Sequence, residues 1–291
     1  MDVAFVGLGI MGMPMAVNLS KNGRRVRVFA RRSDVRREAR SRGLDTAESI
    51  ADAVRGAHVV ITMLTDGTAV REVVLGQGGV LESIASSTVY IDMSTIAPSD
   101  WEVVLEACVA ADVSALDAPV SGGEQGAIEG TLSIMAGGER DVVESVREVL
   151  ELMGTVVRVG GPGAGQIVKA ANQLVVAGNI QLVAEALIVL EKGGVDQATA
   201  LDVLSRGLAG SAVIQRKREA LLNRVYEPGF TLSLHAKDLG IVADAARSSR
   251  LSLPLTATVT QLVNAAVATG RGDCDHSALY DLALETNGLA T

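Results

Sequence analysis

The 291-residue sequence predicts an α/β protein in two parts: a doubly wound parallel sheet domain, then an all-α domain, joined by a long helix. Three observations carry this expectation. Aromatic residues make up only 2% of a chain that is 48% hydrophobic, so the core must be built from Ala, Val, Leu, Ile and Met, which suits helices and buried parallel strands. As far as about Gly160, short β-branched runs alternate with helix-like segments. Beyond Gly160-Gly161-Pro162-Gly163 the strand signal disappears and a long apolar segment with helical patterning begins. The length suits two domains of roughly 150 residues, with the sheet domain expected over 1–162 and the helical domain over 163–291.

Strands are expected at 3–6, 26–30, 58–63, 88–92, 113–117, 132–136 and 156–159. Met11, Met15 and Leu19, at i, i+4 and i+8, lay an apolar stripe along the first helix, and Asn22-Gly23 supplies its C-terminal stop. Residues 166–192 read as one helix of roughly 40 Å at about 1.5 Å per residue. Apolar on almost every side, it must lie in a core or a subunit interface, which makes a homodimer or homotetramer the expected state. The segments 197–206, 212–223, 232–249, 254–269 and 276–286 are also helical in pattern, broken by Gly207, Gly210 and Pro228-Gly229.

With 26 basic and 34 acidic residues the formal charge is −8, which repels phosphate backbones and anionic lipid, so neither nucleic acid nor a membrane is expected as a partner. Nine arginines between Arg24 and Arg42 nevertheless cluster, either as a solvated surface or as an anion site. Asn179, Gln181 and Glu185 interrupt the longest apolar stretch, which a bilayer with about 30 Å of hydrocarbon would penalise. Cys108 and Cys274 match no metal or redox spacing and read as free thiols, and the opening residues lack the apolar run of a signal peptide. A cytoplasmic location is expected. His58, His235 and His276 lack the spacing of a metal site or a triad and are assigned structural roles, His276 capping or orienting the last helix.

The first strand runs directly into Gly7-Leu8-Gly9-Ile10-Met11-Gly12, a dinucleotide-binding glycine pattern in its strand–turn–helix setting, so the sheet domain is expected to be Rossmann-type. Gly7 permits the turn, Gly9 lets backbone approach a pyrophosphate, and Gly12 lets helix and strand pack closely. NAD-preferring sites end the second strand in an acid; here Ala30 is followed by Arg31-Arg32-Ser33, which suits a 2′-phosphate and favours NADP(H) over NAD(H). Asp34 is expected to open the next helix. Leu64 and Thr95 follow the third and fourth strands at the carboxyl edge where ligands bind. Ser121-Gly122-Gly123 offers small residues and open backbone N–H groups to an anion. Hydride transfer to a carbonyl needs a proton donor, and a lysine serves near neutral pH once burial lowers its pKa from about 10.4 toward 7–8. Lys169 stands alone in an apolar helix, with Asn172 and Gln173 on its face at i+3 and i+4.

Residues 6–19 (VGLGIMGMPMAVNL), 117–123 (DAPVSGG) and 165–173 (GQIVKAANQ) together resemble the β-hydroxyacid dehydrogenase family, which includes 3-hydroxyisobutyrate dehydrogenases, tartronate semialdehyde reductases and, more distantly, 6-phosphogluconate dehydrogenases. Ala171-Asn172-Gln173, Gly207 to Ser211, Leu234 to Leu239 and Asp275 to Leu279 are similar to the tartronate semialdehyde reductases in particular. The resemblance implies transfer of a hydride between NAD(P)H and a small carboxylated aldehyde or the matching hydroxy acid. Tartronate semialdehyde leads, with 3-hydroxyisobutyrate, glyoxylate and succinic semialdehyde as rivals. It implies that Lys169 is the general acid/base, that Asn172 hydrogen-bonds substrate and helps to position the lysine, and that Ser121, Gly122 and Gly123 hold the substrate carboxylate. Leu64, Thr95 and Lys237 would then contact the cofactor. A silent nucleotide-binding scaffold is the alternative from another class, and the intact Lys169, Asn172 and Ser121 argue against it.

Overall fold

The structure, a computed structural model, describes residues 1–289. The chain forms two compact units, Met1–Lys169 and Ala170–Thr291, the compact division falling inside the long helix. The reason is local: the first turns of that helix are hydrogen-bonded to the sheet and belong with it.

In the first unit, nine strands form one sheet: β1 (Val3–Val6), β2 (Val26–Phe29), β3 (Asp45–Thr46), β4 (Val59–Thr62), β5 (Val89–Asp92), β6 (Ser114–Asp117), β7 (Val120–Ser121), β8 (Leu132–Gly137) and β9 (Gly154–Gly160). Their spatial order is β3-β2-β1-β4-β5-β6-β8-β7, with β9 beside β8. The sheet is parallel from β3 through β6; β8 then runs antiparallel to both β6 and β7, and β9 runs parallel to β8. The sequence reading had no β3 or β7, because a two-residue strand leaves no period-two pattern.

Helices α1 (Gly12–Lys21), α2 (Ser33–Ser41), α3 (Ile50–Val54), α4 (Gly67–Leu75), α5 (Pro98–Ala110), α6 (Gly123–Glu129) and α7 (Arg140–Leu150) cover both faces. Along β1, Val3 and Phe5 join one core with residues of α1, α2, α6 and α7, while Ala4 and Val6 join the other with α3, α4 and α5. Covered on both sides, β1 and β4 are buried at every position, which is why they read as continuous apolar runs. Val6, Thr62, Asp92 and Asp117 are successive register partners, so β1, β4, β5 and β6 all end on one row. The order reverses at β1, between β2 and β4, making this carboxyl edge the topological switch where such sheets bind ligands.

The long helix α8 spans Ala164–Lys192. It is not buried all round: Val168, Val175, Leu182 and Val189 form an exposed row at seven-residue spacing, while Ala177, Ile180, Ala184 and Leu187 on the other side are fully buried. The second unit continues with α9 (Gln197–Arg206), α10 (Ala212–Asn223), α11 (Leu232–Ser248), α12 (Pro254–Ala266) and α13 (Leu279–Thr286). The helix α12 passes directly into a π-helical segment, Val267–Arg271, in which Thr269 and Gly270 (φ +89°) leave the helical region, at the end expected for the helix over 254–269. Asp275, and not His276, caps the turn before α13, accepting from Ser277 N at 3.1 Å.

Asp275 is also the polar anchor of this unit. Although only 1% exposed, it accepts from Lys217 Nζ (2.8 Å), Phe230 N (3.2 Å) and Ser277 Oγ (2.7 Å), beside the paired rings of His235 and His276. Burial pushes its carboxyl up, but the charges of His276 and Lys217 and the bonds from Lys217 and Ser277 outweigh burial and hold it below the ordinary carboxylate range. Asp275→Ala should lower unfolding free energy by about 3–5 kcal/mol in urea titrations at pH 7, since Lys217 loses a buried partner. A carboxyl held low in the folded state stabilises it fully above the unfolded value near 4 and loses that contribution as pH falls through the folded value. The advantage of the wild type over Asp275→Asn should therefore shrink as the pH drops below about 4; an advantage that grows on acidification would contradict this.

Candidate active site

The glycine turn is built by steric exclusion. Gly7 takes φ +103°, and a Cβ there would lie 2.2 Å from Met63 O; a Cβ on Gly12 would lie 2.0 Å from Gly7 O. At Gly9 nothing lies within 4 Å of the same position. Two glycines thus serve packing between β1, α1 and the loop after β4, while the third faces open space where α1 begins. Residues Gly7, Leu8, Gly9, Ile10, Met11 and Gly12 therefore fit a dinucleotide, whose pyrophosphate needs backbone N–H groups and an approach free of side chains.

Beyond β2, position 30 is a buried alanine and Arg31 and Arg32 are exposed. Most of the arginine cluster is spent on surface pairs: Arg24 with Glu148, Arg25 with Asp2, Arg27 with Asp45, Arg36 and Arg40 with Glu48, and Arg42 with Glu38. Arg31 makes no ion pair among the described residues, and Arg32 only a 4.0 Å approach to Asp34. Arg36 also donates to the carbonyls of Ala30 (2.7 Å) and Arg31 (2.9 Å), bracing the loop that presents the two guanidiniums. Asp34 does not cap α2; Arg32 occupies that position and Asp34 lies within the first turn.

The row of strand ends carries two fully buried carboxylates side by side, Asp92 and Asp117. Asp92 Oδ1 accepts from Thr62 Oγ1 (2.8 Å) and Ser94 Oγ (2.6 Å), and Ser94 Oγ accepts from Leu64 N (2.9 Å), which fixes the loop behind Gly7. Asp117 reaches α8: Gly163 N donates to Oδ1 at 2.7 Å and Gln166 N to Oδ2 at 2.8 Å, so a sheet carboxylate caps the helix. The Gln166 side chain, 1% exposed, bonds back to the loop after β5, Nε2 donating to Ser94 O (2.9 Å) and Oε1 accepting from Ile96 N (3.1 Å). Burial pushes Asp117 up to about 7 against the pull of the two amides, with the Asp92 charge adding to the rise.

Lys169, 6% exposed, follows Gln166 by three residues on this anchored helix. Thr95, half-buried, lies between Ser94 and Ile96 on the same edge. Ser121 is not in a loop: it ends β7, paired with Ser133 of β8, and is half-buried. Gly122 (φ +141°) and Gly123 (φ +66°) follow it into α6. The first unit thus brings Gly7 to Gly12, Leu64 and Thr95 to one edge and fixes the start of α8 there. Asn172 and Lys237 belong to the second unit. Asn172 stands one turn beyond Lys169 on α8, and its Oδ1 is buried without a hydrogen-bond partner among the described residues. Lys237 on α11 pairs with Asp238 Oδ1 (2.9 Å), whose other oxygen accepts from Gln173 Nε2 (2.5 Å). Asp117, Gln166 and Asp238 were absent from the sequence reading of the site. Signals for the first two existed, an acid closing an apolar strand and a glutamine at i−3 from Lys169, but each alone reads as a strand end or a helix start.

The domain family described as the NAD binding domain of 6-phosphogluconate dehydrogenase matches residues 2–161, and that described as the NAD-binding domain of NADP-dependent 3-hydroxyisobutyrate dehydrogenase matches residues 163–283. The chain belongs to the 3-hydroxyisobutyrate dehydrogenase-like family of β-hydroxyacid dehydrogenases. It is accordingly an NAD(P)-dependent oxidoreductase. It is 39% identical over 280 residues to the 2-hydroxy-3-oxopropionate reductase of Escherichia coli K12, covering 96% of both chains. A solved 3-hydroxyisobutyrate dehydrogenase of Mycobacterium tuberculosis, with L-serine, superposes with a TM-score of 0.87 at 33% identity, over 97% of this chain and 98% of that one. A second solved structure, Psf3 in complex with NADP+ and 2-OPP, gives 0.89 at 25% identity, over 97% and 99%.

Gly9→Ala and Gly12→Ala should separate binding from packing in this enzyme. Gly9→Ala should keep the wild-type melting temperature and weaken dinucleotide binding, measured by fluorescence titration, by tenfold or more, about 1.4 kcal/mol. Gly12→Ala should lower the melting temperature by at least 5 °C, since its Cβ must displace backbone. Equal melting losses in both variants would contradict the division of roles.

Proposed function

We propose that this enzyme uses NADPH to reduce tartronate semialdehyde (2-hydroxy-3-oxopropionate) to glycerate. The observation that carries the chemistry is Lys169, a buried ammonium on a helix whose start is tied to the ligand-binding edge of the sheet. When bound, the nicotinamide supplies the hydride. Lys169 holds a proton for the carbonyl oxygen and releases it as that oxygen gains charge, which general acid catalysis makes worth about 10²–10⁴-fold. Asn172 Oδ1 is an acceptor suited to a substrate hydroxyl, and such a partner would satisfy a buried polar atom. Ser121 Oγ and the backbone of Gly122 and Gly123 bind the substrate carboxylate. The turn Gly7 to Gly12 holds the dinucleotide with Leu64, Thr95 and Lys237, and Arg31 and Arg32 take its 2′-phosphate. The exposed apolar row of α8 supports assembly into a homodimer or homotetramer. The proposed location is the cytoplasm.

Support for this substrate comes from the 39% identity to the E. coli reductase. A hydroxyl-for-methyl exchange is worth only about 1–3 kcal/mol in an apolar pocket, so 3-hydroxyisobutyrate is the second reading, favoured by the similarity to the M. tuberculosis enzyme. Tartronate semialdehyde, glyoxylate and succinic semialdehyde, each assayed with NADPH and NADH, and 3-hydroxyisobutyrate, assayed in the oxidising direction with NADP+ and NAD+, separate the readings. The highest kcat/KM should be with tartronate semialdehyde and NADPH; a higher value for any of the others would overturn the assignment.

Two sets of variants probe the roles. Lys169→Ala should fold, bind NADPH and lose about 10²–10⁴ in kcat. Lys169→Arg should do no better, because a guanidinium stays protonated above pH ~12 and cannot exchange the proton; retention of a tenth of wild-type turnover by either would remove Lys169 from the mechanism. Replacing Arg31 and Arg32 together by Ala should raise KM for NADPH by tenfold or more, at about 1.5–3 kcal/mol per lost charged contact, and barely change that for NADH. Equal effects on both cofactors would exclude a 2′-phosphate site there.

A further inference from the structure

We infer that Asp117 and Gln166 position Lys169 by locking the first turn of α8 to the ends of β5 and β6. This deepens the proposed role of Lys169 and rests on it. A lysine side chain is long and flexible, so where its ammonium sits depends on where its helix starts. That start is fixed by four hydrogen bonds to the sheet edge, two from backbone amides to the Asp117 carboxylate and two made by the Gln166 side chain to the backbone of Ser94 and Ile96. Asp117 and Gln166 are 0% and 1% exposed, so water does not substitute for any of these bonds. The helix also comes too close for side chains: a Cβ on Gly165 would lie 2.4 Å from Met135 O, and one on Gly137 would lie 2.7 Å from Gly165 N. The link therefore runs Thr62–Asp92–Ser94–Gln166–Asp117, from the strand ends beside the glycine turn to the helix that carries the lysine. Neither Asp117 nor Gln166 needs to touch substrate to affect turnover.

The carboxylate form of Asp117 accepts from both amides, whereas the protonated form keeps one good acceptor, so the lock is tightest above about pH 7, the value to which burial raises this group. Because the folded value lies above the unfolded one, global stability relative to an asparagine variant should fall as pH rises from about 4 to 7, while the grip on α8 improves. A residue that only stabilised the fold would not split stability and turnover in this way.

The test is a double-mutant cycle on the full-length enzyme with Asp117→Asn, Gln166→Met and Lys169→Ala, with kcat and KM measured from pH 6 to 9 and melting temperature recorded alongside. Asp117→Asn and Gln166→Met should each lower kcat at pH 8 by about ten- to a hundredfold, as expected for a displaced catalytic group, with little change in KM for either substrate. In the Lys169→Ala background the same substitutions should cost less than twofold. The wild type should lose kcat below pH 7, and Asp117→Asn should not. A readout independent of turnover is the acylation rate of Lys169, located by peptide mass spectrometry and referred to exposed Lys21; both variants should change that ratio at least threefold. Losses that persist in the Lys169→Ala background, or a lower melting temperature with unchanged kcat and acylation, would overturn the positioning role. Should Lys169→Ala alone remain active, it is the proton-donor reading that fails, a result visible before the cycle is closed.

Discussion

The cap on α8 is the contact on which the rest of the site depends. A helix N-terminus leaves amide donors unsatisfied, and most helices meet that need with a residue just ahead of the first turn. Here the acceptor comes from the end of β6, so satisfying the helix also fixes where it stands against the sheet. Everything downstream on α8, with Lys169 first, inherits its position from that bond pair.

The arrangement carries an electrostatic cost. Asp92 and Asp117 are adjacent strand ends, both fully buried. Hydroxyl and amide dipoles from Thr62, Ser94, Gly163 and Gln166 hold them. Burial nevertheless raises the pKa of Asp117, to about 7, against the pull of the amides that solvate it. Purely apolar strand ends would fold with less cost but could not hold the loops after β4 and β5 and the start of α8 in fixed relation. Burial cost exchanged for geometric precision is common where ligands bind.

Much of this was legible in the sequence because it rests on local rules. The β1 run into Gly7-Leu8-Gly9 gave strand, turn and helix in one stretch, and the structure adds the reason for two of the glycines: Met63 O and Gly7 O occupy the space a Cβ would need. The α9 and α10 boundaries also follow from local signals, an Asp196 cap on one and a Ser211 cap on the other. What sequence did not reveal depends on contacts between distant residues. Asp117 and Gln166 are 49 positions apart, and nothing in either segment says that they meet. For α8, apolar composition says that its faces need partners but not which face packs within the chain; the row from Val168 to Val189 is exposed in the single chain while Ala177, Ile180, Ala184 and Leu187 are buried.

The most direct measurement is a crystal structure of the enzyme with oxidised cofactor and its hydroxy acid. The account predicts Lys169 Nζ within about 2.6–3.2 Å of the substrate oxygen that gains or loses the proton, with the substrate carboxylate on Ser121, Gly122 and Gly123. The first turn of α8 should remain on Asp117. A substrate oxygen facing another donor, with Lys169 beyond hydrogen-bond reach, would contradict it.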